Sequence, residues 1–225
     1  MAVTTTKVYN ASTFAELVAD VQEGWDWKSI DISEDGAQAD FYVSDELLLR
    51  LSLLNGNNTY IYVINNGNST TVISSSGGAS NIRTKITKTS SVFCISCTSS
   101  SARDILKPTD EQRIVAVGTA TNQLTGAKET AVVYVLQPAN NYVQTMIASS
   151  DNSSAVISLI PVVYLIQNVN AKITTMQNLF YKNSECIMDD VYILTSTQTP
   201  ALAYGDCTFN GKKYYMQGCI MLADD

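Results

Sequence analysis

The spacing of apolar residues along the chain changes from a helical to a strand-like period near residue 24. Before that point, apolar side chains recur three and four positions apart, which predicts a short amphipathic helix over residues 13–23. Its apolar face consists of Phe14, Leu17, Val18 and Val21. Thr13 and Glu16 have the spacing of a capping box, and Gly24 is a natural residue just past a helix end.

After residue 24 the apolar residues alternate with polar ones, as they do in half-buried strands. In residues 47–54 four leucines take alternate positions, with Arg50 and Ser52 between them. Asn-Gly turn signals follow this segment and the next one. Further strand-like segments cover 59–64, 70–74, 83–97, 113–120, 130–137, 155–168 and 189–197, of which 113–120 and 130–137 are continuous apolar runs. Many short strands joined by turns predict a mainly β fold: an antiparallel β-sandwich or barrel-like domain with a short N-terminal α-helix.

One β-rich domain over residues 1–225 is the predicted organisation. The polar segment 98–112, which contains Pro108, is the candidate break between subdomains. Residues 170–182 could form a second helix, although their apolar residues fit neither period well.

The chain closes with a strong hairpin signal that runs into an apolar segment. Asn210-Gly211 is the preferred pair for a two-residue type I′ turn, and the strand after it is longer than the strand before it. The last part of that second strand must therefore pair elsewhere, either within its own sheet or with the edge of a neighbouring subunit. The candidate interface residues on it are Tyr214, Tyr215, Met216, Cys219, Ile220, Met221 and Leu222.

Charge and hydropathy narrow the classes of partner. The net charge is −7, which argues against a nucleic-acid partner because phosphate neutralisation needs a basic face. The longest apolar stretch, residues 155–166, contains Pro161 and falls well short of the roughly 20 residues of a membrane-spanning helix. The start has no apolar signal-peptide region, so we expect no membrane partner and synthesis in the cytoplasm.

Candidate catalytic and metal sites are sparse. The chain has no histidine, which excludes nucleophilic triads that depend on one. Cys94 and Cys97 have redox or zinc spacing, but they lie in a strand-like run that would send them to opposite faces, as buried thiols. Residues 31–42 begin like a calcium loop but have Tyr42 where the bidentate glutamate belongs, so an acidic turn is the better interpretation. We therefore expect no enzymatic activity, and no catalytic, cofactor-binding or metal-ligating residues.

Tyrosines among serine, threonine and asparagine suggest an alternative function. The chain has 12 tyrosines, and such strands occur both in ligand-binding surfaces and as cover on ordinary sheets. The alternative is a receptor- or carbohydrate-binding module that uses exposed aromatic residues and takes a host-surface glycan as its ligand. Its candidate residues are Trp25, Trp27, Tyr60 and Tyr62.

Several of these features together resemble a known class of proteins. The N-terminal helix, the mid-chain runs "RIVAVGTA" and "TAVVYVLQ", and the closing "FNGKKYYMQGCIMLAD" resemble small structural proteins of tailed-bacteriophage particles. The resemblance implies a structural, non-enzymatic virion component of the tail, neck or capsid surface. It implies a homo-oligomer that contacts other virion proteins and is made in the host cytoplasm. The abundance of neutral polar residues fits a subunit that buries surface in a symmetric assembly.

Overall fold

The computed structural model describes residues 3–56, 58–74, 81–98, 113–139, 142–150, 154–161, 176–182, 184–194, 206–217 and 220–224. The protein is mainly β, with 66% of residues in strands and one short helical segment near the N-terminus. Its antiparallel sheets curl into a half-barrel and a second sheet. The predicted fold class is therefore confirmed.

Seventeen strands and one α-helix make up the described part of the chain. The helix α1 spans Phe14–Glu23 and follows a 3₁₀ turn at Ala11–Thr13. The strands are β1 (Val3–Asn10), β2 (Ile30–Ile32), β3 (Gln38–Tyr42), β4 (Leu47–Leu54), β5 (Asn58–Asn65), β6 (Asn68–Ser74), β7 (Asn81–Lys88), β8 (Phe93–Thr98), β9 (Arg113–Asn122), β10 (Lys128–Ala139), β11 (Tyr142–Ser149), β12 (Ser154–Pro161), β13 (Met176–Tyr181), β14 (Cys186–Leu194), β15 (Asp206–Phe209), β16 (Lys212–Gln217) and β17 (Ile220–Asp224).

The helix begins differently from the prediction. Asn10, not Thr13, is the capping residue: its side chain accepts hydrogen bonds from the backbone of Ser12 and Thr13, and the Thr13 hydroxyl accepts one from the Asn10 backbone. The reciprocal capping box therefore lies one turn earlier, on the 3₁₀ turn. The end is as predicted, because the helix finishes at Glu23 and Gly24 follows it.

A five-stranded antiparallel sheet runs in the order β2-β3-β4-β5-β6. Its strands follow each other in the chain, joined by tight turns. At Asn66-Gly67 both residues have positive φ, 50° and 74°, as a two-residue type I′ turn requires. Asn210-Gly211 has the same conformation, with φ of 51° and 80°, and confirms the terminal hairpin predicted from the sequence.

The larger sheet has twelve strands and branches. Along β9, residues 113–117 pair with β8, whereas residues 120–122 pair with β14 on the same edge. Strand β14 in turn pairs with β9 through residues 186–188 and with β17 through residues 191–193. Between these two parts Asp190 has a left-handed φ of 55°, which marks an irregular backbone where β14 changes partners.

The central strands β8, β9 and β10 are buried on both faces. Val115, Val117 and Tyr134 pack in a first cluster with the helix and the five-stranded sheet. Their neighbours Ala116 and Val133 pack on the opposite face, in a second cluster with β13, β14, β16 and β17. Burial on both faces explains why the mid-chain runs are continuously apolar and do not alternate.

The predicted second helix is wrong where the structure describes it. Met176–Tyr181 form strand β13, which pairs antiparallel with β14, and residues 170–175 lie outside the described part. Pairing with a neighbouring strand decides the conformation of a segment whose own period is ambiguous. The candidate subdomain break over 98–112 lies almost wholly outside the described residues, so the single domain stays a prediction.

Candidate functional site

The terminal apolar strand β17 lies inside the chain's own sheet. It pairs with β14 on one edge and with β16 on the other, and Leu222 lies opposite both Val191 and Tyr215. The side chains of Ile220, Met221 and Leu222 are fully buried. Of the two pairings that the sequence left open for the end of the chain, the structure has the one within a single subunit. The prediction of one long strand after the turn is wrong, because β16 ends at Gln217, β17 begins at Ile220, and the two strands pair antiparallel with each other.

The remaining predicted interface residues belong to the same region. Tyr214 and Tyr215 on β16 are also buried, at 4% and 6% exposure, and Met216 follows them on that strand. Cys219 lies outside the described residues. The role of this group in contacts between subunits stays a prediction. Within one chain, its described buried members form part of the fold.

A buried polar contact ties the terminal hairpin to the first half of the chain. The Ser96 hydroxyl donates to Oε1 of Gln217 at 2.5 Å, and Nε2 of Gln217 donates to the Thr87 hydroxyl at 2.5 Å. All three side chains are buried. Strand β16 therefore packs over the β7–β8 hairpin. Removing the end of the chain would leave Ser96 and Thr87 only their longer contacts, with the Lys85 carbonyl at 3.5 Å and with the Thr4 hydroxyl at 3.3 Å.

The predicted aromatic residues fall into two separate places. Trp25 is 7% exposed and packs edge-on against Phe41 and Phe93, with ring centroids 5.3 and 5.7 Å away. Trp27 is half-buried beside it, at 5.1 Å. The prediction that Trp25 is an exposed ligand-binding residue is wrong, because its ring completes the first cluster.

Tyr60 and Tyr62, in contrast, lie on the outer face of the five-stranded sheet, away from the first cluster. Their rings are stacked, with centroids 5.7 Å apart and planes 9° apart, and both residues are half-buried. Partial burial raises the pKa of the Tyr62 hydroxyl above its usual value. Residues two apart on a strand point to the same face, so this pair was predictable from spacing alone.

Beside Tyr62 the outer face has an open groove of about 550 Å³, which we call the outer groove. It is lined by residues of β3, β4, β5 and β6, including Gln38, Arg50, Ser52, Tyr62, Ile64 and Ser69. One lining residue, Arg50, belongs to an ion pair with Asp40 that sequence reasoning missed. Nε and Nη2 of Arg50 donate to the two Asp40 oxygens at 2.7 and 2.6 Å. The only signal in the sequence was a charged residue on each of two adjacent strands.

The two cysteines of the Cys-x-x-Cys motif lie on opposite faces of their strand, as predicted. Cys94 lies in the second cluster and Cys97 in the first, on opposite faces of β8. Burial raises the pKa of the Cys97 thiol to about 12, against a smaller opposing effect of the hydrogen bond with Thr84. Such a thiol stays protonated at neutral pH, so it is a poor nucleophile and metal ligand.

The calcium-like segment is a hairpin turn between β2 and β3. Oδ1 of Asp35 accepts hydrogen bonds from the Ser33 hydroxyl at 2.7 Å and from the Ala37 backbone at 3.0 Å. These contacts, led by the one from Ala37, lower the pKa of Asp35. Within the part of the chain that the structure describes, no cluster of three or more acidic or cysteine side chains could hold a metal ion.

Strand β1 lies at one edge of the large sheet. It pairs with β7 over all eight residues without a register shift, and with no other described strand. Val3 is 64% exposed and Val8 is 48% exposed. The one charged side chain on β1, Lys7, is neutralised by Asp20 of α1 at 2.7 Å. No sequence pattern predicted this strand.

Comparison with known proteins adds no relative. The chain matches no protein-family model, no curated protein and no solved structure. Among the described residues, no helix is long and apolar enough to cross a membrane.

Proposed function

We propose that the protein is a structural, non-enzymatic subunit of a tailed-phage virion, which assembles with copies of itself and with other virion proteins. The observation that supports this proposal best is the β1 edge. Soluble monomers blunt such edges with charges, prolines or bulges, because an open strand edge recruits other strands. The eight residues of β1 contain no proline, no bulge and one neutralised charge.

The contact that we propose is an antiparallel pair of β1 strands from two copies. Centred on Thr6, this pairing would set Val8 against Thr4 of the other copy, which joins β-branched side chains across the strands. Because Asp20 neutralises Lys7, the two edges would not repel each other. Main-chain hydrogen bonds would supply most of the affinity, as in other cases of strand addition. We place the contact here because the described side chains of β17 are buried in the chain's own core.

Sedimentation velocity of the full chain tests this proposal. The wild-type protein is expected to form a concentration-dependent oligomer. Val8→Lys is expected to shift it to the monomer, because a charged side chain on an edge strand disfavours pairing with another strand and would replace the β-branched contact with Thr4 of the other copy. Leu124→Lys is the matched control: it replaces an apolar side chain that is 76% exposed in the β9–β10 turn, and should behave as wild type. A wild-type monomer at every concentration, or a Val8→Lys oligomer identical to wild type, would contradict the β1 contact.

The virion assignment has its own test. Purified particles of the encoding phage are expected to contain the protein in many copies, which quantitative mass spectrometry measures. Its absence from washed particles would contradict the assignment, whatever the oligomeric state of the isolated chain.

A further inference from the structure

The outer groove has the features of a small-molecule site, on a sheet face that the assembly contact does not use. Its volume of about 550 Å³ falls within the usual range of ligand pockets. Gln38, Arg50, Ser52, Tyr62 and Ser69 reach it from four neighbouring strands. Side chains fixed on paired strands are held in place before a ligand arrives, which reduces the entropy lost on binding.

The groove has little net charge in spite of its arginine. Both oxygens of Asp40 accept hydrogen bonds from Arg50, and the Asp40 side chain is only 7% exposed. This contact raises the pKa of Arg50, so the guanidinium stays charged beside its carboxylate partner. The other polar groups that reach the groove, on Gln38, Ser52 and Ser69, are uncharged. A groove of this kind offers no counter-charge to a phosphate, a carboxylate or an amine.

The rest of the lining is an aromatic ring and two aliphatic side chains, Leu54 and Ile64, beside neutral hydrogen-bonding groups. Amide and hydroxyl side chains both donate and accept, which matches the hydroxyl groups of a sugar. The face of a tyrosine ring is electron-rich and attracts the partly positive C–H groups on the apolar side of a sugar ring. Tyr60 stacks against Tyr62 and holds that ring in position.

We propose that the outer groove binds a neutral saccharide, with a sugar ring against Tyr62 and its hydroxyl groups hydrogen-bonded to Gln38, Ser52 and Ser69. Arg50 lines the groove with its charge paired to Asp40, so the site offers no unpaired charge to a charged ligand. This inference does not depend on the assembly role, because β1 contributes no residue to the groove.

Saturation-transfer NMR and titration calorimetry on the full chain test the proposal. The probes are glucose, galactose, N-acetylglucosamine and their neutral disaccharides, with glucuronate and glucosamine as charged comparators. We expect at least one neutral probe to bind, and we expect neither glucuronate nor glucosamine to bind. Absence of binding by every neutral probe, or binding of glucuronate or glucosamine as tight as that of the best neutral probe, would overturn the proposal.

Variants locate the site. Tyr62→Ala is expected to weaken binding about tenfold through loss of the ring. Ser69→Trp alters an exposed side chain of the lining, so the fold should persist while the groove is filled and binding is lost. Thr125→Trp, an exposed position in the β9–β10 turn, is the matched control and should bind as wild type. If folded Ser69→Trp binds a neutral sugar as tightly as Thr125→Trp does, the site is not the outer groove.

Discussion

Truncation of Leu222 to alanine tests whether the terminal strand is part of the core. The Leu222 side chain is fully buried between Val191 and Tyr215, in the second cluster. Three buried carbon groups at about 0.8 kcal/mol each give about 2.4 kcal/mol of lost transfer free energy. The cavity adds to this, because both neighbours are held on paired strands and cannot move far, so we expect a loss of about 3–5 kcal/mol. That is a large part of the roughly 5–15 kcal/mol by which a typical domain is stable.

Urea unfolding followed by circular dichroism and tryptophan fluorescence measures this loss. A decrease of about 3–5 kcal/mol corresponds to a midpoint shift of roughly 1–2 M urea at an ordinary m-value. Both tryptophans lie in or against the first cluster, so coincident transitions would show that the two clusters unfold together. Leu124→Ala changes a side chain that is 76% exposed and should alter the free energy of unfolding by no more than about 0.5 kcal/mol.

Two results would refute this reasoning. A Leu222→Ala midpoint equal to that of Leu124→Ala would mean that the strand is not packed in the second cluster. A wild-type midpoint that rises steeply with protein concentration, but not in Leu222→Ala, would mean that the strand is completed by a second chain.

Three further predictions concern the core and the titrating groups. Gly24→Ala should lower the free energy of unfolding by about 1–3 kcal/mol, measured by urea unfolding, because its new Cβ would lie 2.9 Å from ring atoms of Phe93. Cys97 should resist alkylation at about pH 8 in the native protein and react on unfolding, which peptide mass spectrometry would show. Burial raises the pKa of the Cys97 thiol to about 12. The contribution of this thiol to stability therefore falls as pH rises above about 8.5, where the unfolded chain begins to ionise. Burial opposes ionisation of Asp20, but hydrogen bonds, among them one from Tyr9 at 2.5 Å, lower its pKa overall. The contribution of the Asp20 carboxylate to the free energy of unfolding is therefore present above about pH 4 and lost as pH falls. In acid titrations the wild type should consequently lose more stability than Asp20→Asn.

Each of these predictions has a clear contrary result. Gly24→Ala as stable as wild type would mean that the helix end is not packed against the aromatic cluster. Rapid alkylation of native Cys97 would place that thiol at the surface. An Asp20→Asn variant that loses stability in acid as steeply as wild type would show that this carboxylate keeps its ordinary pKa in the folded chain.

The sequence by itself determined the local elements of this protein. The helical spacing of Phe14 to Val21 predicted both the helix and its buried face. The Asn-Gly pairs predicted the tight turns, since only a few residue types adopt positive φ at low cost. The two-residue strand period sent Cys94 and Cys97 to opposite faces. All of these depend on sterics and hydrogen bonds within a few residues.

Tertiary structure decided which faces and edges are covered. Leu222 is internal because β14 and β16 both pair with its strand, and Gln217 meets Ser96 across 121 residues of chain. Trp25 is a core residue because two distant phenylalanines pack on it, although its own neighbourhood is polar. The position of β1 at the end of the order of described strands and the outer groove depend equally on which strands become neighbours. The local sequence pattern indicates whether a side chain is suited to burial. The strand or helix that buries it depends on contacts between residues that are far apart in the sequence.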